Sequence, residues 1–199
     1  MNPLTARGQA TRARIVETAA RLMHANGVAA TRVDEVLSEA KAGKSQFYHY
    51  FDTKDQLVEA VLEFQAAAGE AEQAAIFART PGWDGIRTWL DAVVEAQKSI
   101  EYRGGCPIGS MAAELAERDP RLRARLGEAF ERKRQALAER LRELRREGLL
   151  SEEADPDVLA AFVMATLQGA LLLASTTKQE AALTGSVDEA WRHLLSFRC

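Results

Sequence analysis

The chemistry most legible in this chain lies in a short run, Lys44-Ser45-Gln46-Phe47-Tyr48-His49-Tyr50-Phe51, and in what flanks it. Phe47 and Phe51 stand four residues apart, on one face of a helix, where they can anchor a core. That leaves Gln46, Tyr48 and His49 projecting outward, with Lys44 and Ser45 at the leading edge. These residue types suit the major groove of duplex DNA. Amide and imidazole groups bond base edges, a tyrosine reaches a phosphate or a thymine methyl, and lysine neutralises phosphate. Thr31 and Arg32 before the run and Lys54 after it extend the set of candidate DNA contacts. Thr53 and Gln56 fit the capping-box pattern that opens a helix, so Lys54 falls in a first turn whose backbone N–H groups suit a phosphate. An ordinary solvated face of an aromatic-rich helix is the alternative. It accounts less well for so many polar groups on so short an element.

These side chains need a scaffold, and the preceding residues supply one. Ile15, Ala19, Leu22 and Met23 fall at i, i+4, i+7 and i+8, one face of a helix that Asn26-Gly27 ends, because both residues tolerate the left-handed conformation. Thr31 is the expected N-cap of a second helix of about two turns, with Asp34 three residues on and a stripe of Val33, Val36, Leu37 and Ala40. Ala42-Gly43 supplies a tight turn into the third helix. Two short helices across a Gly-containing turn make a helix-turn-helix.

Charge follows the same division. The formal net charge is −3, yet residues 1–50 carry seven Lys or Arg against four acids, a surplus of three, so the remainder stands at −6. A basic end on an acidic body is the layout expected where one end meets a polyanion. On its own, an arginine-rich solvated helix face gives the same signal.

Other chemistries find little footing. Two cysteines, Cys106 and Cys199, exclude a disulfide framework and, without a CxxC pair, a cysteine-rich zinc site. His24, His49 and His193 stand far apart, no metal-ligand spacing is visible, and neither a glycine-rich phosphate loop nor a paired-carboxylate motif occurs. No metal or cofactor is expected, therefore, and no catalytic residue. A helical enzyme with Cys106 as nucleophile and His24 or His193 as base would need side chains that nothing in the sequence brings together. The first residues lack the apolar core of a secretory signal. The longest apolar stretch, Val158 to Ala174, falls short of the roughly 20 residues of a membrane span and is interrupted by Thr166, Gln168 and Gly169. The expectation is a cytoplasmic protein without membrane contact.

Of the 199 residues 47% are hydrophobic and 28% charged, a soluble globular balance, and the dominance of Ala, Leu, Glu and Arg points to helices throughout. Leu57, Val61, Leu62, Phe64 and Ile76 predict a long helix from Leu57 to about Ala78. After a break at Thr80-Pro81-Gly82, Ile86, Trp89, Leu90, Val93, Val94 and Ile100 mark an amphipathic helix ending near Tyr102-Arg103-Gly104-Gly105. Cys106-Pro107 opens another, carrying Ile108, Met111 and Leu115. Asp119-Pro120 opens a long charged helix with the stripe Leu122, Leu126, Phe130, Leu137, Leu141 and Leu144, closing at Gly148. Glu128, Glu131, Glu139, Glu143 and Glu147 interleave with its arginines, which predicts a salt-laced face rather than a second nucleic-acid surface. Asp155-Pro156 starts the most apolar helix, Val158 to Ala174, and Asp188 to Phe197 forms the last, with Trp191, Leu194 and Leu195. A helix apolar nearly all round is buried on more than one side, so these two are expected to serve as both core and subunit interface. A monomer with a central buried helix is the alternative.

Arg14-Ile15-Val16-Glu17-Thr18-Ala19, Gly27, Val33 to Leu37 and, above all, Phe47-Tyr48-His49-Tyr50-Phe51 followed by Lys54 and Leu57 resemble the TetR family of bacterial transcriptional regulators, over roughly residues 10–60. That family often has Gly then Thr or Ser where this chain has Ser45-Gln46, which points to a different base preference. The resemblance implies an all-α protein of about nine helices, with a helix-turn-helix DNA-binding domain at 1–53 and a helical effector-binding and dimerisation domain at 54–199. It further implies a homodimer through the last two helices on a palindromic operator, and release by a small molecule bound among the middle helices. Trp89, Val93, Tyr102, Met111, Phe130, Phe162 and Gln168 are the residues available to line that cavity. Gln168, an amide amid Leu167, Gly169 and Leu171, must bond the backbone, a subunit partner or a ligand.

Cys106 joins them as a candidate, because a helix N-terminus favours thiolate and so reactivity. The stretch from Gly105 to Leu115 is similar to a segment of one branch of the family, some of whose members sense electrophiles. A small buried hydrophobe is the plainer reading. The expected function is a ligand-released repressor. A helix-turn-helix protein without an effector, or a repressor sensing electrophiles or oxidants through Cys106, are the alternatives.

Overall fold

A computed structural model describes residues 5–199. Residues 1–4, which begin the expected first domain, lie outside the described residues. Nine helices occur among the described residues: α1 (Ala6–Asn26), α2 (Val33–Glu39), α3 (Lys44–Tyr50), α4 (Lys54–Arg79), α5 (Gly82–Ser99), α6 (Pro107–Leu115), α7 (Pro120–Arg146), α8 (Pro156–Thr177) and α9 (Ala181–Leu195). They belong to two compact units. One holds the residues up to Ala68 together with Ser110–Leu126, the other Gly69–Gly109 and Gly127–Cys199.

In the first unit, α1 buries Ile15, Val16, Ala19, Leu22 and Met23 and packs against α2 and α3, which contribute Val36, Leu37 and Phe47. Gly27 ends α1 as expected and at positive φ (+86), but with ψ 157 it takes an extended, glycine-only conformation rather than the left-handed helical one, its N–H on the Met23 carbonyl at 2.9 Å. Arg14 Nε donates to the Ala40 carbonyl at 2.7 Å and Arg21 pairs with Glu39, so two basic residues of the N-terminal surplus tie α1 to α2.

Two local expectations need correction. The N-cap of α2 is Arg32, without a side-chain cap bond, and the Thr31 hydroxyl donates backward to the Gly27 carbonyl at 2.8 Å. A threonine hydroxyl that finds a carbonyl four residues back satisfies itself locally and gives up the cap. In the turn before α3, the left-handed residue is Lys41 (φ +50), whereas Gly43 is extended (φ −86). The Ala42 N–H reaches the Leu37 carbonyl at 3.0 Å, a helix ending that requires a left-handed residue just before it, whatever its type.

In the second unit, Ile86, Leu90, Leu137, Leu141, Val163, Leu167, Leu183 and Leu194 form the fully buried centre. Trp83 stacks edge-on to Trp191, with ring centres 6.0 Å apart, and its Nε1 donates to the Leu149 carbonyl at 3.2 Å. An isolated antiparallel bridge between Leu150 and Arg198 fastens the carboxyl end. The face of α7 is salt-laced as expected: Arg134 pairs with Glu131 and Asp157, Arg140 with Glu143, and Arg142 with Glu139 and Asp157.

Asp155 caps α8, accepting from Asp157 N at 2.9 Å and Val158 N at 3.3 Å, and Pro156 occupies the first turn. At 22 residues α8 is long and apolar enough to cross a membrane by length and composition. Here Leu159, Val163, Leu167 and Leu171 face the core, and α8 pairs with α9 along its length. The opposite side shows Val158, Phe162, Leu172 and Leu173 to solvent, with the small residues Ala161, Ala165 and Gly169 exposed between them. The last helix starts well before Asp188. Leu183 and Val187 are both buried in line with Ala190 and Leu194, and that stripe carries the helix back to Ala181.

Candidate nucleic-acid interface

Local forces fix α3 first. Phe47 is buried, with its ring 5.5 Å from that of Phe51 and 5.4 Å, edge-on, from that of Tyr48. Anchoring one face this way turns the others out: Lys44, Ser45, Gln46, Tyr48 and His49 are all exposed, Tyr48 at 65%. Lys44 Nζ sits 3.0 Å from Asp34 of α2 in a fully solvated pair, which salt or a competing phosphate can open. The Oε1 of Gln46 accepts the Gly43 N–H at 2.9 Å and so closes the start of its own helix. A base contact by Gln46 therefore falls to Nε2, a donor.

Beside α3 lies a cleft of about 300 Å³ lined by Arg32, Lys44, Tyr48, Thr53 and Lys54 among others. It gathers three cations and a phenol with two carboxylates, Asp34 and Asp52, a surplus of one positive charge. Arg32 is exposed. Thr31 is not: at 1% exposure, with its hydroxyl on Gly27, it is committed to the turn and offers no side chain to a ligand.

Lys54 does something that its sequence position did not announce. Its Nζ donates to the Val28 carbonyl at 2.6 Å and the Ala29 carbonyl at 3.3 Å, so two of its three donors serve the α1–α2 turn. The amides of the same two residues are held by Glu114 of α6: Val28 N–H donates to Oε2 at 2.8 Å and Ala29 N–H to Oε1 at 2.5 Å. A carboxylate and an ammonium thus clamp one short segment, each on the backbone groups its charge prefers. Glu114, absent from the candidates read in sequence, is separated from Val28 by 86 residues, and no local pattern joins them.

The residues expected to line an effector cavity do not all fall together. Trp89 is buried and Val93 and Phe130 are half-buried in the core of the second unit, where Trp89 meets Phe77 edge-on at 6.2 Å. Cys106 and Gln168 come together at Gly109, whereas Tyr102 lies beside Lys98, Lys178 and Glu180. The Cys106 Sγ accepts the Gly109 N–H at 3.4 Å, and a methyl at Gly109 would stand 2.7 Å from Gln168 Oε1 and 3.2 Å from Cys106 Cβ. Burial and then the Glu180 carboxylate push the Tyr102 phenol above the usual tyrosine value.

The other two lie elsewhere. Met111 is buried in the first unit. Phe162 is 40% exposed on the outer side of α8, its ring 4.8 Å from His193 of α9. Because α8 is apolar on every side, periodicity cannot say which of its large residues turn inward. The buried carboxamides Gln73 and Gln97 were missed, as a single Gln in a helix carries no signal of burial. Among the described residues, no group of three or more His, Cys, Asp or Glu could hold a metal ion.

Two family models match the chain: bacterial regulatory proteins of the tetR family over residues 15–61, and the tetracyclin repressor-like C-terminal domain over residues 82–193. An uncharacterized HTH-type transcriptional regulator from the lacX 3' region of Lactococcus lactis is 30% identical over 182 residues, covering 89% of this chain and 90% of its own. The HTH-type transcriptional regulator LmrA of Bacillus subtilis is 28% identical over 175 residues, covering 87% of this chain and 90% of its own. A solved TetR transcriptional regulator from Chloroflexus aurantiacus superposes with a TM-score of 0.84 at 27% identity over 98% of both chains. With an exposed groove-sized helix at one end, both halves matched and the lactococcal relative aligned nearly end to end, the chain belongs to the TetR family of DNA-binding transcriptional regulators.

Proposed function

We propose that the chain acts in the cytoplasm as a homodimeric repressor whose two α3 helices occupy successive major grooves of a palindromic operator, and that a small molecule releases it. The observation that carries this reading is α3 itself: Lys44, Ser45, Gln46, Tyr48 and His49 are exposed over a buried Phe47. Residues 1–53 are the reading part and residues 54–199 the effector-binding and dimerisation part. Arg32 and Lys44 supply phosphate contacts, and Tyr48, His49 and Gln46 Nε2 face base edges. Lys54 acts mainly by holding the α1–α2 turn. The outer strip of α8 supports pairing: Val158 and Leu172 are 62% and 66% exposed, and Ala161, Ala165 and Gly169 leave room for a close partner helix. Half-sites one helical turn apart, roughly 34–36 Å, would fit such a pair.

An effector in the second unit that favours another spacing needs a coupling of about 1–3 kcal/mol to weaken operator binding roughly 5- to 150-fold. The test uses a duplex selected from a random pool by the purified protein, with fluorescence anisotropy as readout. Tyr48→Ala and Lys44→Ala are expected to abolish salt-sensitive binding; retention by both variants overturns the reading. A regulator without an effector would show no thermal stabilisation by any compound of a metabolite panel. A second reading, thiol sensing, is favoured by the Gly109 N–H on Cys106 Sγ at the start of α6. Under it, N-ethylmaleimide releases the wild type from the duplex and leaves Cys106→Ala bound.

A further inference from the structure

We infer that Gln73 is the polar anchor of the effector site, and that the effector is an uncharged molecule presenting a hydrogen-bond donor beside an acceptor, as an amide or lactam does. The inference rests on the reading of the second unit as effector-binding. Gln73 of α4 is 1% exposed, and neither its Nε2 nor its Oε1 has a hydrogen-bond partner among the protein atoms. A carboxamide carries two donors and an oxygen with two lone pairs, and burying them unmade carries the full cost of stripping their water.

Its position is bracketed by the contacts on either side. Arg132 Nε reaches Glu70 at 2.7 Å, and Arg140 reaches the Phe77 carbonyl at 2.5 Å, so α4 and α7 run in the same direction here. Gln73 falls level with the turn of α7 that holds the buried Leu137. Phe77, about 6 Å further along α4 by helical rise, meets Trp89 of α5. Half-buried Phe77, Val93 and Phe130 pack on this same core.

The ligand class follows from what the interior offers. Among the described residues the buried polar members of the second unit are Gln73 and Gln97, both neutral carboxamides. The nearest charge, Arg140, has an 11% exposed side chain whose terminal nitrogens are already bonded to Glu143 and to the Phe77 and Thr80 carbonyls, with its Nε unmet. Gln97 Nε2 donates to the Gly105 carbonyl at 3.2 Å, while its Oε1 has no hydrogen-bond partner. A cationic guest would meet no buried carboxylate, an anionic one would have to draw Arg140 away from Glu143 and two carbonyls, and a pure hydrocarbon would leave Gln73 as it is. A neutral amide satisfies donor and acceptor together.

The test combines melting curves with duplex binding, using benzamide, benzoate and benzylamine as probes of one shape and three charge states. Gln73→Leu is expected to melt about 3 °C or more above the wild type, since it removes the unmade groups. Gln73→Met serves as the second variant if the branched side chain packs poorly. Benzamide is expected to raise the melting temperature of the wild type and of neither variant, and the two charged probes to raise none. The inference is overturned if both variants melt at or below the wild type, if benzamide leaves the wild type unmoved or stabilises the variants equally, or if a charged probe stabilises the wild type. Failure of the regulator reading would appear elsewhere, as loss of duplex binding by the unliganded wild type.

Discussion

Glu114→Ala removes one side of the clamp on the α1–α2 turn, and its effect can be worked out bond by bond. The Ala29 N–H is exposed and regains water when Oε1 is lost, so little is forfeited there. The Val28 N–H is part-buried, and leaving it unmade costs about 1–3 kcal/mol. Taking about 2 kcal/mol, and about 2–4 °C per kcal/mol for a chain of this size, the melting temperature falls by roughly 6 °C. The turn leads directly into Arg32 and α2, so its release also spreads the population of placements available to α3. If the competent placement loses about 1.4 kcal/mol against its rivals, the operator Kd rises tenfold.

No phosphate contact is lost, so the slope of log Kd against log salt should stay that of the wild type. Fluorescence anisotropy on the selected duplex from about 50 to 200 mM salt measures both quantities. Glu114→Gln loses the charge but keeps one acceptor and should recover about half the lost affinity, which separates geometry from electrostatics. Lys54→Met is expected to weaken binding with the slope unchanged for the same reason. Wild-type affinity in Glu114→Ala refutes the clamp as a positioning device. A slope reduced by about 0.9 per Lys54 removed would show that this ammonium holds a phosphate instead.

Three further outcomes are expected. Leu172→Glu places a charge on the exposed strip of α8 and should convert a dimer to monomers in sedimentation, with operator binding lost; an unchanged sedimentation coefficient would exclude that face as the interface. Gly85→Ala puts a methyl onto the Thr80 carbonyl oxygen, a backbone atom that cannot swing aside, and should lower stability by about 1–3 kcal/mol in denaturant titration; wild-type stability would show that the α4–α5 corner yields. Arg134 first, and then Arg142, hold the Asp157 carboxyl below the usual carboxylate range, so its contribution is present near neutrality and lost as pH falls through that depressed value. Asp157→Asn should therefore melt slightly below the wild type at neutral pH and converge with it below about pH 4; a gap independent of pH would assign the loss to packing.

What sequence could and could not tell here follows the range of the forces involved. Asn26-Gly27, Cys106-Pro107, Asp119-Pro120 and Asp155-Pro156 mark helix ends because caps and prolines act on their own neighbours, and the structure has a helix boundary at each. Phe47 and Phe51 fixed the outward side of α3 by spacing alone. The α1–α2 clamp was hidden because Glu114 and Lys54 approach Val28 from distant parts of the chain. Thr31 misled because a hydroxyl can cap forward or bond backward, and only the closed turn decides. Phe162 misled because α8 has no polar side to orient it, while Gln73 sits among Ala and Glu residues that predict a solvated surface.

The uncovered strip along α8 has a consequence for dosage. If the proposed pairing holds, a newly made copy carries a greasy band from Val158 to Leu173 that a sibling of matching contour would shield. Where siblings are scarce, occupancy of a regulatory sequence would climb with roughly the square of the amount synthesised, so a modest change in expression would move the regulated genes more than proportionately.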